Sequence, residues 1–302
     1  MSRYFAPTTA EEAVALLGEH HDAQVVAGGT DLVVGARGGK HPLPKVLVAI
    51  HRVRDLDTRV ESDMGLRLGA LTSHAWIQGS PLVGDRWSAL ADASALVGSP
   101  ATRNSGTLGG NLMNASPAMD TGAPLLVFEA TVEMRGVRGT RVVPMDELFA
   151  GPGRTFTHRD ELLVAVELPV LAPATGSAYV RLEHRRAMEI AVVGAAALVT
   201  LGEDGRVADA RIALTAAAPT CVRAPEAEKL LLAGGTFRDA AALATEAVAP
   251  ITDVRASARY REAMISVVVN RALAVAAARA AGTAVAVPAN HNLSEVTVGS
   301  GR

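Results

Sequence analysis

The chain has 302 residues, 49% of them hydrophobic, with a formal net charge of −2, eight histidines and one cysteine. Such a length can bury a large core shared among two or three domains. The near-neutral charge gives no footprint for nucleic acid, no apolar stretch approaches the ~20 residues that span a bilayer, and the lone Cys221 excludes an intrachain disulfide and a cysteine-ligated iron–sulfur cluster.

The start, Met1-Ser2-Arg3-Tyr4, lacks the apolar run of a secretory signal, so the chain reads as soluble and cytoplasmic. Thr9-Ala10-Glu11-Glu12 is a capping box that predicts a helix over Ala13–Leu17. Val25–Ala27 and Val46–Ile50 read as short strands, closing a small α/β subdomain near residue 58. Leu66–Leu68 alternates like a strand; Ala75–Gln78 and Trp87–Val97 read as helices. Thr131–Met134 and Arg141–Val143 form a predicted hairpin, and Leu162–Leu168 a last strand of this second subdomain. Pro169–Gly176 is the best linker. Beyond it, Ala191–Leu201 and Val207–Leu214 are predicted strands, and Glu226–Leu232, Arg238–Val248 and Ala258–Ala281 predicted helices. The apolar stripe of the last helix, with Met264, Val267, Val268, Leu273 and Val275, reads as core because arginines interrupt it. Residues 283–302 are small and polar, a loose tail.

Two glycine pairs carry the functional signal. One lies in Val25-Val26-Ala27-Gly28-Gly29-Thr30-Asp31-Leu32, the other in Gly106-Thr107-Leu108-Gly109-Gly110-Asn111. A strand ending in Gly-Gly turns with positive φ and admits a ligand unhindered by Cβ. Successive backbone N–H groups at such turns make anion-binding concavities, and two of them would grip both phosphates of a dinucleotide. Taken alone, either pair reads first as an ordinary tight turn. Neither fits the G-x-G-x-x-G fingerprint or the phosphate loop of nucleoside triphosphatases. Cys221 has no base beside it and reads as a small packed hydrophobe, and the scattered histidines show no metal spacing.

The longer text around the pairs resembles the FAD-binding subunit of the molybdenum hydroxylases, the family of xanthine dehydrogenase and aerobic carbon monoxide dehydrogenase. The resemblance runs through Phe5-Ala6-Pro7-Thr8, Ala27–Leu32, Gly98-Ser99-Pro100, Arg103-Asn104, Gly106–Asn111, Ser116-Pro117 and Asp120. It continues in Phe149–Gly153, Glu161-Leu162-Leu163 and Arg185-Arg186, up to about residue 280. It implies an α+β chain with a two-subdomain FAD-binding fold of the vanillyl-alcohol oxidase type over residues 1–176, split near residue 58. A C-terminal α+β domain like that of carbon monoxide dehydrogenase flavoprotein follows over 177–282.

By the same resemblance, Val25, Val26, Ala27, Gly28, Gly29, Thr30, Asp31 and Leu32 wrap the FAD pyrophosphate through backbone donors. Thr107, Leu108, Gly109, Gly110 and Asn111 approach from the other subdomain. Asp120 accepts from FAD hydroxyls, and Leu163 and Arg181 are further flavin contacts. A valine at Gly28 or Gly110 then removes FAD and spares much of the fold. Arg181 stands where the family often has lysine, Val97 near an aromatic that is absent here, and Glu189 where aspartate is common; Glu189 reads equally as a solvated charge.

The implied role is electron transfer on a non-covalent FAD. A large partner subunit holds the molybdenum cofactor and a small one the 2Fe–2S clusters, in a heterotrimer paired as a dimer of trimers. Electrons leave to NAD⁺, O₂ or a quinone-type acceptor. Two other readings stand beside it: a self-sufficient oxidoreductase of the vanillyl-alcohol oxidase type, and an assembly module without cofactor.

Overall fold

The computed structural model describes residues 3–39 and 42–295. Its compact units are not contiguous in sequence: one comprises Met1–His74, Pro100–Ala115 and Glu129–Val170, the other Ala75–Ser99, Ser116–Phe128 and Leu171–Arg302.

In the first unit, a three-stranded parallel sheet places Val46–Ala49 between Arg3–Phe5 and Ala23–Val26. Helix Ala10–Glu19 begins where the capping box places it: Thr9 Oγ1 accepts from Glu12 N at 3.1 Å. The reciprocal arm reaches one residue further back than the motif predicts, Glu12 Oε2 accepting from Thr8 N at 2.7 Å. Its buried face (Ala10, Ala13, Val14, Leu17) packs with Val48, Ile50, Leu56, Leu162 and Val164, the i, i+3, i+4, i+7 spacing of an amphipathic helix. A five-stranded antiparallel sheet runs Arg59–Ser62, Gly65–Gly69, Leu162–Pro169, Thr131–Gly136, Gly139–Pro144 in spatial order.

The second unit is built on the antiparallel sheet Thr175–Leu182, Val193–Leu201, Val207–Thr215, Val222–Arg223. Helix Ala258–Ala280 lies on it, burying Ile265, Val268, Val269, Ala272, Leu273 and Ala276. By length and apolarity alone this helix is enough to cross a membrane, which corrects the reading that no such stretch exists; its buried face belongs to the core instead. Gly176 permits the contact, since a Cβ there would stand 2.2 Å from Ala276 O. The helices Pro225–Leu232 and Phe237–Leu243 close the same core. Two features went unread in the sequence: the strand Thr175–Leu182 begins at the end of the expected linker, and helix Ser88–Leu96 is docked on that strand through Ser88 Oγ to Ser177 O at 2.7 Å.

The segment after residue 283 is not loose throughout. Ala289 is fully buried, its N–H donates to Asp92 Oδ1 at 2.8 Å, and Val285 O accepts from Arg279 Nη2 at 3.0 Å. Small residues pack tightly when a buried ion pair offers backbone partners, and composition alone does not show that. Residues 296–302 lie outside the described residues.

Candidate cofactor site

The two glycine stretches come together within the first unit. Strand Ala23–Val26 ends on Val26, whose carbonyl accepts from Ile50 N at 3.0 Å. Gly29 then turns with φ +68°, the left-handed conformation that favours glycine, and helix Leu32–Arg37 follows. Gly28 has ordinary φ but no room: a Cβ would fall 1.8 Å from Ser105 O and 3.1 Å from Gly106 N. Gly106 in turn has Thr102 O, the His74 ring and Thr30 Oγ1 at 2.9, 3.4 and 3.5 Å from its absent Cβ.

The second pair is not the end of a strand, as the sequence reading had it. Gly109 and Gly110 lie in the first turn of helix Leu108–Asn114, with neither in the positive-φ region. Thr107 is the N-cap, and its Oγ1 accepts from Gly110 N at 3.0 Å. Gly109 is glycine for closeness: its N–H donates to Ala70 O at 2.9 Å, and a Cβ would sit 2.8 Å from that oxygen. A Cβ on Gly110 meets only Thr107 Oγ1 at 2.9 Å and the Ala27 methyl at 3.9 Å. Ala70 N donates to Val164 O, which couples this helix start to the strand carrying the buried Leu163. Thus Ala27, Gly28 and Thr30 face Ser105, Gly106 and Gly110 within one unit.

Beside them, two buried side-chain atoms have no hydrogen-bond partner: Thr72 Oγ1 and His74 Nδ1. Burial, aided by the nearby Arg103 guanidinium, pushes the His74 imidazole down to about 4, so it is neutral at pH 7. A buried polar atom without a partner is costly unless a ligand or water completes it.

Asp120 and Arg181 belong to the second unit, where they form a side-chain network. Asp120 Oδ1 accepts from Tyr179 Oη at 2.8 Å and Oδ2 from Arg181 Nη1 at 2.8 Å. Arg181 Nε donates to Glu183 Oε2 at 2.9 Å. Glu183 Oε1 faces His291 Nε2 at 2.8 Å, and Arg181 N donates to Asn290 Oδ1 at 2.9 Å. Burial pushes the Asp120 carboxyl up against the opposing pull of Arg181. Burial is the largest influence and works against the Arg181 charge, yet Asp120, Tyr179 and Glu183 together outweigh it and raise the guanidinium above its ordinary range. Each Asp120 oxygen keeps a second lone pair for an incoming hydroxyl.

Other singled-out positions are placed more simply. Glu189 pairs with Arg185 at 3.2 Å, a local contact whose arginine is exposed. Val97 caps the end of helix Ser88–Leu96. Cys221 is buried, its thiol pushed up to about 12 by desolvation, and donates weakly to Thr215 Oγ1 at 3.7 Å. Tyr179, Glu183, Asn290, His291, Thr72 and His74 escaped the sequence reading, since nothing in their local spacing marks them.

Residues 1–171 match the family described as FAD binding domain in molybdopterin dehydrogenase, and residues 178–276 the carbon monoxide dehydrogenase flavoprotein C-terminal domain. The chain is a member of this flavoprotein family. The carbon monoxide dehydrogenase medium chain of Hydrogenophaga pseudoflava is 35% identical over 92% of this chain and 98% of its own length. The 6-hydroxypseudooxynicotine dehydrogenase complex subunit alpha of Paenarthrobacter nicotinovorans is 34% identical over 93% and 96%. In structure, the Hydrogenophaga carbon monoxide dehydrogenase superposes with a TM-score of 0.87, covering 92% of this chain and 98% of that one. Quinoline 2-oxidoreductase from Pseudomonas putida 86 follows at 0.86 with 29% identity, over 93% and 98%.

The α+β flavoprotein fold, the oxidoreductase class and FAD as the cofactor stand on these likenesses. The residues also fit the cofactor on their own geometry. In the first unit the two glycine stretches meet through bare backbone at Gly28 and Gly106, Gly29 turns with positive φ, and the unpartnered Thr72 and His74 atoms lie beside them.

Proposed function

We propose that this chain is the flavoprotein subunit of a cytoplasmic molybdenum hydroxylase, taking electrons from the 2Fe–2S clusters of a small partner and delivering them to NAD⁺, O₂ or a quinone-type acceptor. A large partner would hold the molybdenum cofactor, in a heterotrimer that pairs into a dimer of trimers. The convergence of the glycine stretches carries this reading, because both approach closely without side chains at a place where buried polar atoms lack partners. We keep residues 1–176 as the FAD-binding domain and 177–282 as the C-terminal domain.

In this reading Val25–Leu32 supplies backbone N–H groups to the pyrophosphate, and Thr107–Asn111 lies against it without side-chain bulk at Gly110, the Leu108–Asn111 N–H groups being already taken by Thr72 O, Ala70 O, Thr107 Oγ1 and Thr107 O. Asp120 accepts from cofactor hydroxyls with the lone pairs left over from Tyr179 and Arg181. Arg181 presents a fixed positive charge, and Leu163 an apolar surface. FAD, when bound, supplies the redox chemistry; the chain sets its access and potential. No residue here is needed as a general base.

Attachment of the flavin is non-covalent in this reading: the thiol of Cys221 is buried and held protonated, which leaves a histidyl link as the alternative. Acid precipitation should leave the flavin in solution; flavin remaining on the polypeptide overturns that point. Co-expression with its partners should give a complex carrying molybdenum, iron and FAD in which a hydroxylase substrate reduces the flavin. If the chain alone oxidises an organic substrate at full rate, a self-sufficient oxidoreductase replaces this reading; if it takes up no FAD, an assembly module does.

A further inference from the structure

Residues 285–292 lie beyond the end of the matched C-terminal domain at residue 276, yet they complete the network around Arg181. The segment has two anchors. At the first, the Asp92–Arg279 ion pair, 2.6 Å long and buried, receives Ala289 N on Asp92 Oδ1 and donates from Arg279 Nη2 to Val285 O. Burial pushes the Asp92 carboxyl up even though four donors converge on its oxygens: both Arg279 Nη atoms, Tyr179 N and Ala289 N. A carboxyl group met by four donors, two of them charged, is fixed in position.

At the second anchor, Asn290 Oδ1 takes the Arg181 backbone N–H at 2.9 Å, while Asn290 Nδ2 and His291 Nε2 stand 3.3 and 2.8 Å from Glu183 Oε1. Glu183 is thereby supplied with donors from outside on one oxygen, and from Arg181 Nε on the other. The buried guanidinium is shared by two carboxylates, Asp120 at 2.8 Å and Glu183 at 2.9 Å. How it is divided depends on how well Glu183 is satisfied elsewhere. Without its outer donors Glu183 claims Arg181 more strongly, and Asp120 is left less neutralised.

We infer that Asn290 and His291 are positioning residues for the cofactor: the 285–292 strap holds Glu183 so that Arg181 neutralises Asp120, and so sets the charge that the flavin meets. This rests on the reading that Asp120 and Arg181 face FAD. The strap does not touch the cofactor in this scheme; it acts through Glu183 and Arg181.

The test uses the full-length chain, purified with FAD or reconstituted with it. Asn290→Ala and His291→Ala should each raise the FAD dissociation constant about tenfold and shift the flavin midpoint potential downward, because uncompensated negative charge opposes electron uptake. His291→Gln, which keeps a donor, should restore both. Thermal unfolding of the FAD-free proteins separates these effects from misfolding. If Asp120→Ala loses FAD while both strap variants keep affinity and potential, the inference falls and the site reading survives. If Asp120→Ala also leaves FAD affinity and potential unchanged, the site reading itself falls, and the inference with it.

Discussion

The glycine stretches and the Asp120–Arg181 network solve different physical problems, and the contrast explains what each part of the chain conveys. The first is built from backbone: Gly28 against Ser105 O, Gly109 against Ala70 O, and a turn at Gly29. Its specificity lies in missing side chains, so it depends on a handful of positions close in sequence. The second is built from buried charges drawn from residues 120, 179–183 and 290–291, each neutralised by another. Its specificity lies in partners, and no single position reveals it. A backbone site is broken by adding atoms; a charge network is broken by removing them.

The largest effect tests the charged side of that contrast. Asp92→Ala leaves Arg279 buried without its carboxylate, and removing one member of a buried pair costs about 3–5 kcal/mol. Replacing both by Leu and Met should cost less than either single change. Urea unfolding of the three variants checks it; equal losses in all three would show that the pair is not coupled.

Next comes His74, where both themes meet. The unfolded chain protonates its imidazole near the ordinary value of 6.5, the folded protein only at about 4. Between these values the unfolded state binds more protons, so stability is full above about pH 6.5 and falls as pH drops, by up to about 3 kcal/mol near pH 4. His74→Gln should flatten that part of the profile. An unchanged slope in the variant would mean other groups cause it.

On the backbone side, Gly28→Ala must displace the Ser105 peptide, and overpacking of this kind costs about 1–3 kcal/mol. The expectation that a substituted Gly28 spares the fold is therefore corrected, since its missing Cβ serves the protein's own packing first. Gly110→Val keeps its place as the more selective probe: besides the Ala27 methyl it crowds only the Thr107 cap hydroxyl, at 2.9 Å, so FAD should be lost with a stability loss the size of one N-cap, roughly 1 kcal/mol. Flavin content and melting temperature, measured on both variants, distinguish the two glycines. Equal stability losses would erase the distinction.

The smallest effect is local. Thr9→Ala removes the N-cap acceptor of helix Ala10–Glu19 and should cost about 1 kcal/mol in thermal unfolding. A loss of several kcal/mol would mean that Thr9 does more than cap.

Much of the architecture was legible because its signals are local. The Thr9 cap, the alternation over Leu66–Leu68, the hairpin at Gly136–Gly139 and the amphipathic face of helix Ala258–Ala280 depend on neighbours within a turn or two. Strand Thr175–Leu182 was missed because it is buried along most of its length and its start, with Gly176 just after Pro169 and Pro173, reads as a linker. Helix Leu108–Asn114 was missed because two glycines in its first turn oppose helix propensity; the Thr107 cap and packing on Ala70 override it.

By itself, then, the sequence determined the family, the flavin and the two glycine stretches, because a ligand's close approach to backbone requires particular residues at fixed short spacing. Only the tertiary structure decided why those glycines are there: Gly29 for its φ, Gly28 and Gly109 for room against the protein's own carbonyls. It alone joined Asp120 to Tyr179 and Arg181, and Arg181 through Glu183 to Asn290 and His291. The separations of 61 and 108 residues across those contacts are set by sheet register and helix packing, which no local pattern encodes.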